Sequence, residues 1–545
     1  MSTLHLKQVV RWLIECQVAW IGLTAWATAN VHSGELRSLY TTGSVAPGTS
    51  DDAVFQGFGD AGFDTSGRIV FQASVQGNSI NSSNDTGIWG IQNDDTSLLI
   101  QEGRNLASGE AVFLGNHGIS GIADSGALVI NAETLGADAN GQAIVYVGPM
   151  GVTTPATYSG PVSGQSSNTW FGEMDAQVTN SGRIYGRVEL LGDDVNSQNN
   201  NAVWTSNHGE PGELFVRESD SVLGLSSPPA SWNSIDYLTT NRNGMIAVRA
   251  QLLDGATLDD GDGNSLLTYT SEEGWKRAVT PLDFVPGSRL HFSKILAPAL
   301  NDNGVLAFYA FTAPGPPGLY IYDERHGVRL IIGSGTYLPE EGLFGIGALD
   351  WSEPHPQLLL DNRNRVLFEG SASNNQTTSE SDQVLWSSGP TGTHLVLCEG
   401  CGVLNRDESW LLGGVADGSF AFDGSLHASG WAAMTSPVYN VRSGQVGSGL
   451  WSISPYDAVE TIISTGDQVE VAPGDIRTLQ MVSVMSGDER SGFRAVDENG
   501  SVVLHVEFTD GSSGLMLYTV PEPSYAVASL VAFVVLWSRK RLNRD

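Results

Sequence analysis

Asn301-Asp302-Asn303-Gly304-Val305-Leu306-Ala307-Phe308-Tyr309-Ala310 reads as a tight turn running into a strand. Asn-Gly tolerates the positive φ of a tight hairpin, and an Asn or Asp side chain bonds the nearby backbone. From Val305 onward the residues follow the period of two that marks a strand. The same unit opens at Asp64-Thr65-Ser66-Gly67, Asp124-Ser125-Gly126, Asn180-Ser181-Gly182 and Asn241-Arg242-Asn243-Gly244. It returns at Asn362-Arg363-Asn364-Arg365, Asp423-Gly424 and Asp497-Glu498-Asn499-Gly500. The glycine positions are 67, 126, 182, 244, 304, 365 (here Arg), 424 and 500, a period near 60 residues. A fixed period of this kind decides the architecture before any motif does.

Around each turn the repeat is filled with short strands. One follows a variable polar loop, as in Gly87-Ile88-Trp89, Ala202-Val203-Trp204, Val384-Leu385-Trp386 and Leu450-Trp451. Another comes next, as in Ser97 to Ile100 and Arg329 to Ile332, and an apolar stretch such as Ala53-Val54-Phe55 precedes the turn. Four short strands per repeat, repeated radially, make propeller blades. The last repeat stops after Leu515 to Tyr518, and the N-terminus holds a spare strand, Leu39-Tyr40-Thr41-Thr42-Gly43. That strand echoes Ile462-Ile463-Ser464-Thr465-Gly466 at the end of repeat seven, so it can complete the last blade and remove two open edges. The expected fold is all-β: a closed β-propeller of eight four-stranded blades, with the N-terminal strand closing the last one. Trp89, Trp204, Trp386 and Trp451 recur at one strand position, which assigns them to blade cores rather than to sugar stacking.

Composition agrees with many short strands. Gly supplies 65 of 545 residues, there are 14 Trp, and only 16% of positions are charged. Lys+Arg number 27 against 60 Asp+Glu, a net charge of -33, which argues against nucleic acid as a partner because phosphate recognition needs a basic face.

The two ends differ from the middle. In residues 1–29, Lys7 and Arg11 precede an apolar run from Val18 to Ala27, and Ala27-Thr28-Ala29 offers small residues for cleavage. This is the pattern of a signal peptide, with an uncleaved N-terminal anchor as the alternative. The repeats fill residues 30–519. In residues 520–545, Val520-Pro521-Glu522-Pro523-Ser524 is followed by an apolar run from Tyr525 to Ser538 and then Arg539-Lys540-Arg541. At 1.5 Å per residue the run is short for a ~30 Å hydrocarbon core, but flanking Arg and Lys can snorkel, and positive charge marks the cytoplasmic side. This three-part tail resembles the bacterial PEP-CTERM sorting signal. The resemblance implies an exosortase-type partner that cuts near Pro521, Glu522 and Pro523. It also implies inner-membrane anchoring before processing, and a later place at the cell surface or in exopolysaccharide.

Asn301 to Ala310 also resembles the NxxGxVxFxA repeat of bacterial choice-of-anchor tandem-repeat proteins, and Asp64 to Ala73 matches with Asp for Asn. The fit is looser at Arg365, Asp423 and Ile184-Tyr185-Gly186. The resemblance implies architecture and address, and no reaction.

Motifs that could carry chemistry are few. Gly57-Phe58-Gly59-Asp60-Ala61-Gly62 spells GxGxxG but runs into a repeat hairpin, not the helix that a dinucleotide site needs. Asp260, Asp262 and Asn264 alternate like the start of a calcium loop. The sixth and twelfth positions are Ser265 and Ser271, where an EF-hand wants Gly and Glu, so an acidic hairpin tip is the plainer reading. Cys398-Glu399-Gly400-Cys401 is a small disulfide loop or a pair of free thiols; it lacks the second Cys pair of a zinc site. There is no HExxH, GxSxG or P-loop. The expectation is a non-catalytic protein without a cofactor, presenting loops to exopolysaccharide or surface glycans. The alternative is an extracellular polysaccharide-acting enzyme with a funnel site assembled from several blades.

Overall fold

The computed structural model describes residues 34–520, except 106–110, 115–117, 136–140, 150, 166–167, 223–229, 254–263, 282, 314, 339–343, 347–357, 374–382, 391, 404–409, 414–422 and 485–492. Residues 37–517 form one compact unit, and residues 1–36 with 518–545 are grouped as a second. Eight antiparallel sheets follow one another along the chain as propeller blades. Blade one is Val54–Phe63, Ile69–Gln76, Thr86–Gln92 and Asp95–Gln101, from the axis outward. In several blades the innermost strand is broken in two. In blade five, for example, His291–Ile295 and Ala299–Leu300 both pair with Leu306–Ala313. Blade eight runs Asp475–Ser483, Val502–Phe508, Ser513–Thr519 and, outermost, Glu35–Thr41.

The four tryptophans are fully buried, and the hydrophobic clusters join neighbouring blades. Tyr309 and Ile321 of blade five, for instance, pack with Phe368 and Trp386 of blade six. Apolar faces pressed together in this way are the main stabilising term.

The repeat turns line one mouth of the ring, and their side chains do two jobs. Asn301 Oδ1 accepts the N–H groups of Asn303 (3.0 Å) and Val305 (2.9 Å), closing its own turn. Asp64, Asp361 and Asp497 each close theirs through the same pair of bonds. The second job is to reach the next blade. Asn241 Nδ2 donates to Asn301 O and Asn301 Nδ2 to Asp361 O, both at 2.8 Å. Asn243 and Asn303 repeat the step to Asp302 O and Asn362 O at 2.7 Å. At two of the three turns that begin with Asp, an arginine four residues on takes over. Arg68 pairs with Asp64 (3.0 Å) and donates to Gly126 O (2.8 Å); Arg365 pairs with Asp361 (3.3 Å) and donates to Gly430 O. Further bonds join Asp124 to Asn180, Asn180 to Arg242, Asn362 to Ala428, Ser429 to Glu498 and Phe63 to Arg494, so every junction of the ring is bridged.

Two turns differ from the sequence reading. In the sixth, the positive φ belongs to Asn364 (65°), not to position 365, and Arg365 points inward to Asp361 and to Asp457 (2.8 Å). In the seventh, Asp423 and Gly424 lie on the innermost strand, paired with Thr435 and Met434. The turn is His427-Ala428-Ser429-Gly430, with Gly430 at φ 98°. His427 does the work of the missing Asn: its Nδ1 accepts Ser429 N–H at 3.0 Å. An imidazole accepting at Nδ1 must be neutral there. Burial first, then the charges of Arg494 and Arg242 across the mouth, push His427 down to about 3.

A second turn recurs where each outermost strand ends. The N–H of its fourth residue bonds the carbonyl of its first in all eight blades, as in Asp467 to Ser464 (3.1 Å) and Ser44 to Thr41 (3.0 Å). In five blades the side chain of the fourth residue, Ser44, Asp220, Asp283, Thr336 or Asp467, also accepts the N–H of the first. Cys398 and Cys401 hold these two places in blade six, and there a disulfide replaces that hydrogen bond.

The N-terminal strand closes the ring. Thr42 N–H donates to Ser513 O (2.9 Å), and Ser513 N–H to Thr42 Oγ1 (3.2 Å). Thr465 and Ser448 make the same pair of bonds in blade seven. Tyr40 then enters the aromatic cluster of blade one, 4.9 Å from Phe55, and its hydroxyl donates to Thr96 Oγ1 (2.8 Å).

Deleting residues 35–43 removes both the edge pairing and the Tyr40 anchor, so the melting temperature should fall by about 10 °C or more; an unchanged melt would refute closure by this strand. For His427 the sign of the pH dependence is fixed. Its folded pKa lies below the ordinary 6.5, so the unfolded chain takes up a proton that the folded chain refuses, and stability falls as pH drops from 6.5 towards 3. His427→Asn keeps the turn acceptor and removes this term. In paired melts at pH 5 and pH 7 it should lose less stability than the wild type, by up to about 2 kcal/mol.

Candidate functional site

Asp302, in the middle of the turn mouth, is already engaged. Asp302 Oδ1 accepts Arg242 N–H (3.2 Å), and its Oδ2 accepts Asn362 Nδ2 (3.0 Å). A His427 held near 3 is too weak a base to take a proton at neutral pH. This mouth is a structural belt.

A cleft of about 620 Å³ opens between blades two and three, toward the end of the blades away from that belt. Gln142 of blade two bridges to the neighbouring backbone: its Oε1 accepts Met174 N–H (2.9 Å) and its Nε2 donates to Met174 O (2.5 Å). That bond falls where the innermost strand of blade three bulges, between Phe171 and Met174. The bulge interrupts the ladder at Glu173, which is exposed to the cleft. Arg187 sits beneath: its N–H donates to Asp175 Oδ1 (2.6 Å), and its Nη1 donates to Asp236 O of blade four (2.5 Å). Glu189 accepts Asn200 Nδ2 at 3.1 Å. At the rim lies Tyr158, 40% exposed, seated over Gly141, where an added Cβ would fall 2.9 Å from the tyrosine Cβ. The cleft thus offers one aromatic face, carboxylates that accept hydrogen bonds, and a single guanidinium held by its own neighbours. It suits a neutral, hydroxyl-rich ligand better than an anion.

The sequence reading did not find these residues. They come from two repeats, and their one local signal is a departure from the pattern: Tyr158 fills the second place of the outer turn, where Thr42, Glu102, Glu218 and Thr465 stand in other blades. Of the residues it did single out, Asn264 opens a strand paired to Gln251, while Asp260 and Asp262 lie outside the described residues. Residues 1–33, Pro521, Glu522, Pro523, Arg539, Lys540 and Arg541 also lie outside them. Among the described residues no helix is long and apolar enough to cross a membrane, and no group of three or more His, Cys, Asp or Glu is placed to hold a metal. Gly57 to Gly62 lie on the innermost strand of blade one.

No curated protein matches the chain. Among solved structures, the β-propeller domain of the Trilobed protease from Pyrococcus furiosus is similar at 10% identity, over 75% of this chain and 98% of that one, with a TM-score of 0.34. An uncharacterised protein of Listeria monocytogenes is similar at 11% identity, over 72% and 96%, with a TM-score of 0.35. A lectin of Aleuria aurantia, solved with a fucosylated ligand, is similar at 12% identity, over 65% and 96%, with a TM-score of 0.24. At these scores none of them bears on what this chain binds. By sequence, residues 23–152 and 122–527 match one family across nearly the whole propeller, and the chain belongs to the family of unknown function DUF7453.

Proposed function

We propose that this chain is an exported, non-catalytic surface or matrix protein that binds neutral polysaccharide in the cleft between blades two and three. The observation that carries the reading is the exposed Tyr158 ring held at the rim of a cleft walled by Glu173, Glu189 and Asp175. A ring face packs against the apolar face of a sugar, while carboxylates accept its hydroxyls. The net charge of -33 repels anionic polymers. Export is supported by the signal-like residues 1–29. The likeness of residues 520–545 to a PEP-CTERM tail supports inner-membrane anchoring, cutting by an exosortase-type enzyme, and release to the surface or exopolysaccharide. The choice-of-anchor likeness of the repeats is in keeping with that address.

A glycan and polysaccharide binding screen of the full chain, run beside hydrolase and lyase assays, tests the cleft. Tyr158→Ala and Glu173→Gln should each weaken binding about tenfold or more, with the melting temperature unchanged because both side chains lie at the surface. Turnover abolished by Glu173→Gln would replace this reading with the enzymatic one. For the tail, replacing Pro521 and Pro523 by Ala should leave the protein in the inner membrane while the wild type is released. Released wild-type protein whose intact mass still includes Trp537 would defeat the processing step.

A further inference from the structure

The second residue of the outer turn donates its N–H to the carbonyl opposite it: Tyr158 to Gln142 (2.7 Å), Glu218 to Asn201 (2.9 Å), Thr465 to Ser448 (2.9 Å) and Thr42 to Ser513 (2.9 Å). Gln142, Asn201, Ser448 and Ser513 therefore hold one place in the repeat. At three of these junctions the turn side chain takes a bond in return. Asn201 N–H donates to Glu218 Oε2 (2.9 Å), Ser448 N–H to Thr465 Oγ1 (2.9 Å) and Ser513 N–H to Thr42 Oγ1 (3.2 Å). Tyr158 takes no such bond among the described residues.

Between blades seven and eight the same two side chains also hold the next blade. Thr465 Oγ1 donates to Gln480 O (2.8 Å), and Ser448 Oγ accepts Val482 N–H (2.7 Å). Between blades two and three one side chain does this alone: Gln142 Oε1 accepts Met174 N–H, and its Nε2 donates to Met174 O. Met174 and Val482 correspond, each buried just past the bulge of its innermost strand. A primary amide offers the same acceptor and donor as a peptide group. Gln142 thus stands in for a strand neighbour beside the interrupted ladder. With both bonds made there, residue 158 has no tie to make, and a large ring can occupy the rim.

We propose that Gln142 is the positioning residue of the cleft. By gripping Met174 on both sides it fixes the bulge, and with it the carboxylate of the adjacent Glu173 where a ligand hydroxyl meets it. The role rests on the cleft being the polysaccharide site proposed above. A bulge aims a side chain by leaving its residue outside the ladder, and the aim is kept only where the flanking backbone is held.

Binding of the full chain to three neutral polymers (dextran, galactomannan and a soluble β-glucan) is the assay, read as double-mutant cycles. Gln142→Ser keeps an acceptor of the kind Ser448 supplies and removes the amide donor. It should weaken binding about five- to tenfold. In a Glu173→Ala chain the same change should cost less than about twofold, because no carboxylate is left to aim; in a Tyr158→Ala chain it should cost its full factor. Gln142→Met, similar in length and without the amide, is the second variant and should give the same pattern. Losses that add in full with Glu173→Ala, or no loss in either variant, would overturn the role of Gln142 and leave the cleft reading standing. A wild type that binds none of the three polymers would overturn both.

Discussion

A primary amide both accepts and donates, and the ring of turns depends on that. Asn241 and Asn301 close their own turn through Oδ1 and reach the next blade through Nδ2, so one residue fixes local shape and neighbour contact together. Aspartate can do only the first. Where it replaces Asn, at Asp64 and Asp361, the missing donor comes from Arg68 or Arg365, which is held by the aspartate it compensates. The pairing also keeps a buried guanidinium and a buried carboxylate mutually satisfied, a condition such groups must meet to be tolerated away from water. His427 is a third solution that supplies an acceptor alone, with Ser429 making the contact to blade eight.

This division of labour explains what could be read from the chain and what could not. Strand alternation, the recurrent buried tryptophans and the repeat period carry the number of blades, and the Thr-Gly echo at residues 42–43 and 465–466 carries the closure. The reading slipped at the seventh turn, whose first two residues, His427 and Ala428, include neither Asn nor Asp, so the nearby Asp423-Gly424 imitated the turn although it sits in a strand. It slipped again at 365, because Asn364 adopts the left-handed conformation that Gly takes elsewhere. The cleft was illegible for a different reason. Gln142, Tyr158, Glu173 and Arg187 belong to different strands of two repeats, and only the blade packing brings them together.

The outer turn shows how a repeat acquires local character. The backbone bond is kept in every blade, and the side chains around it vary: a hydroxyl in blades seven and eight, a capped glutamate in blade three, a disulfide-bridged pair in blade six. Tyr158 stands in this turn as well, and it opens onto a cleft. Positions where the scaffold no longer needs the side chain are free to face a ligand.

Thr42 and Ser513 are 471 residues apart, and their pairing has a consequence for the order of assembly. Each of blades one to seven is built from consecutive strands, so its contacts are local and can form as soon as its own segment is free. Contacts of long sequence separation carry the largest loop-closure cost and form late. The strand made first is therefore the last to find its neighbour, and until residues 513–519 arrive the growing protein is an open arc with an unpaired edge at its start. Any factor that guards the emerging chain must cover Tyr40 and the aromatic cluster of blade one for the whole of that interval.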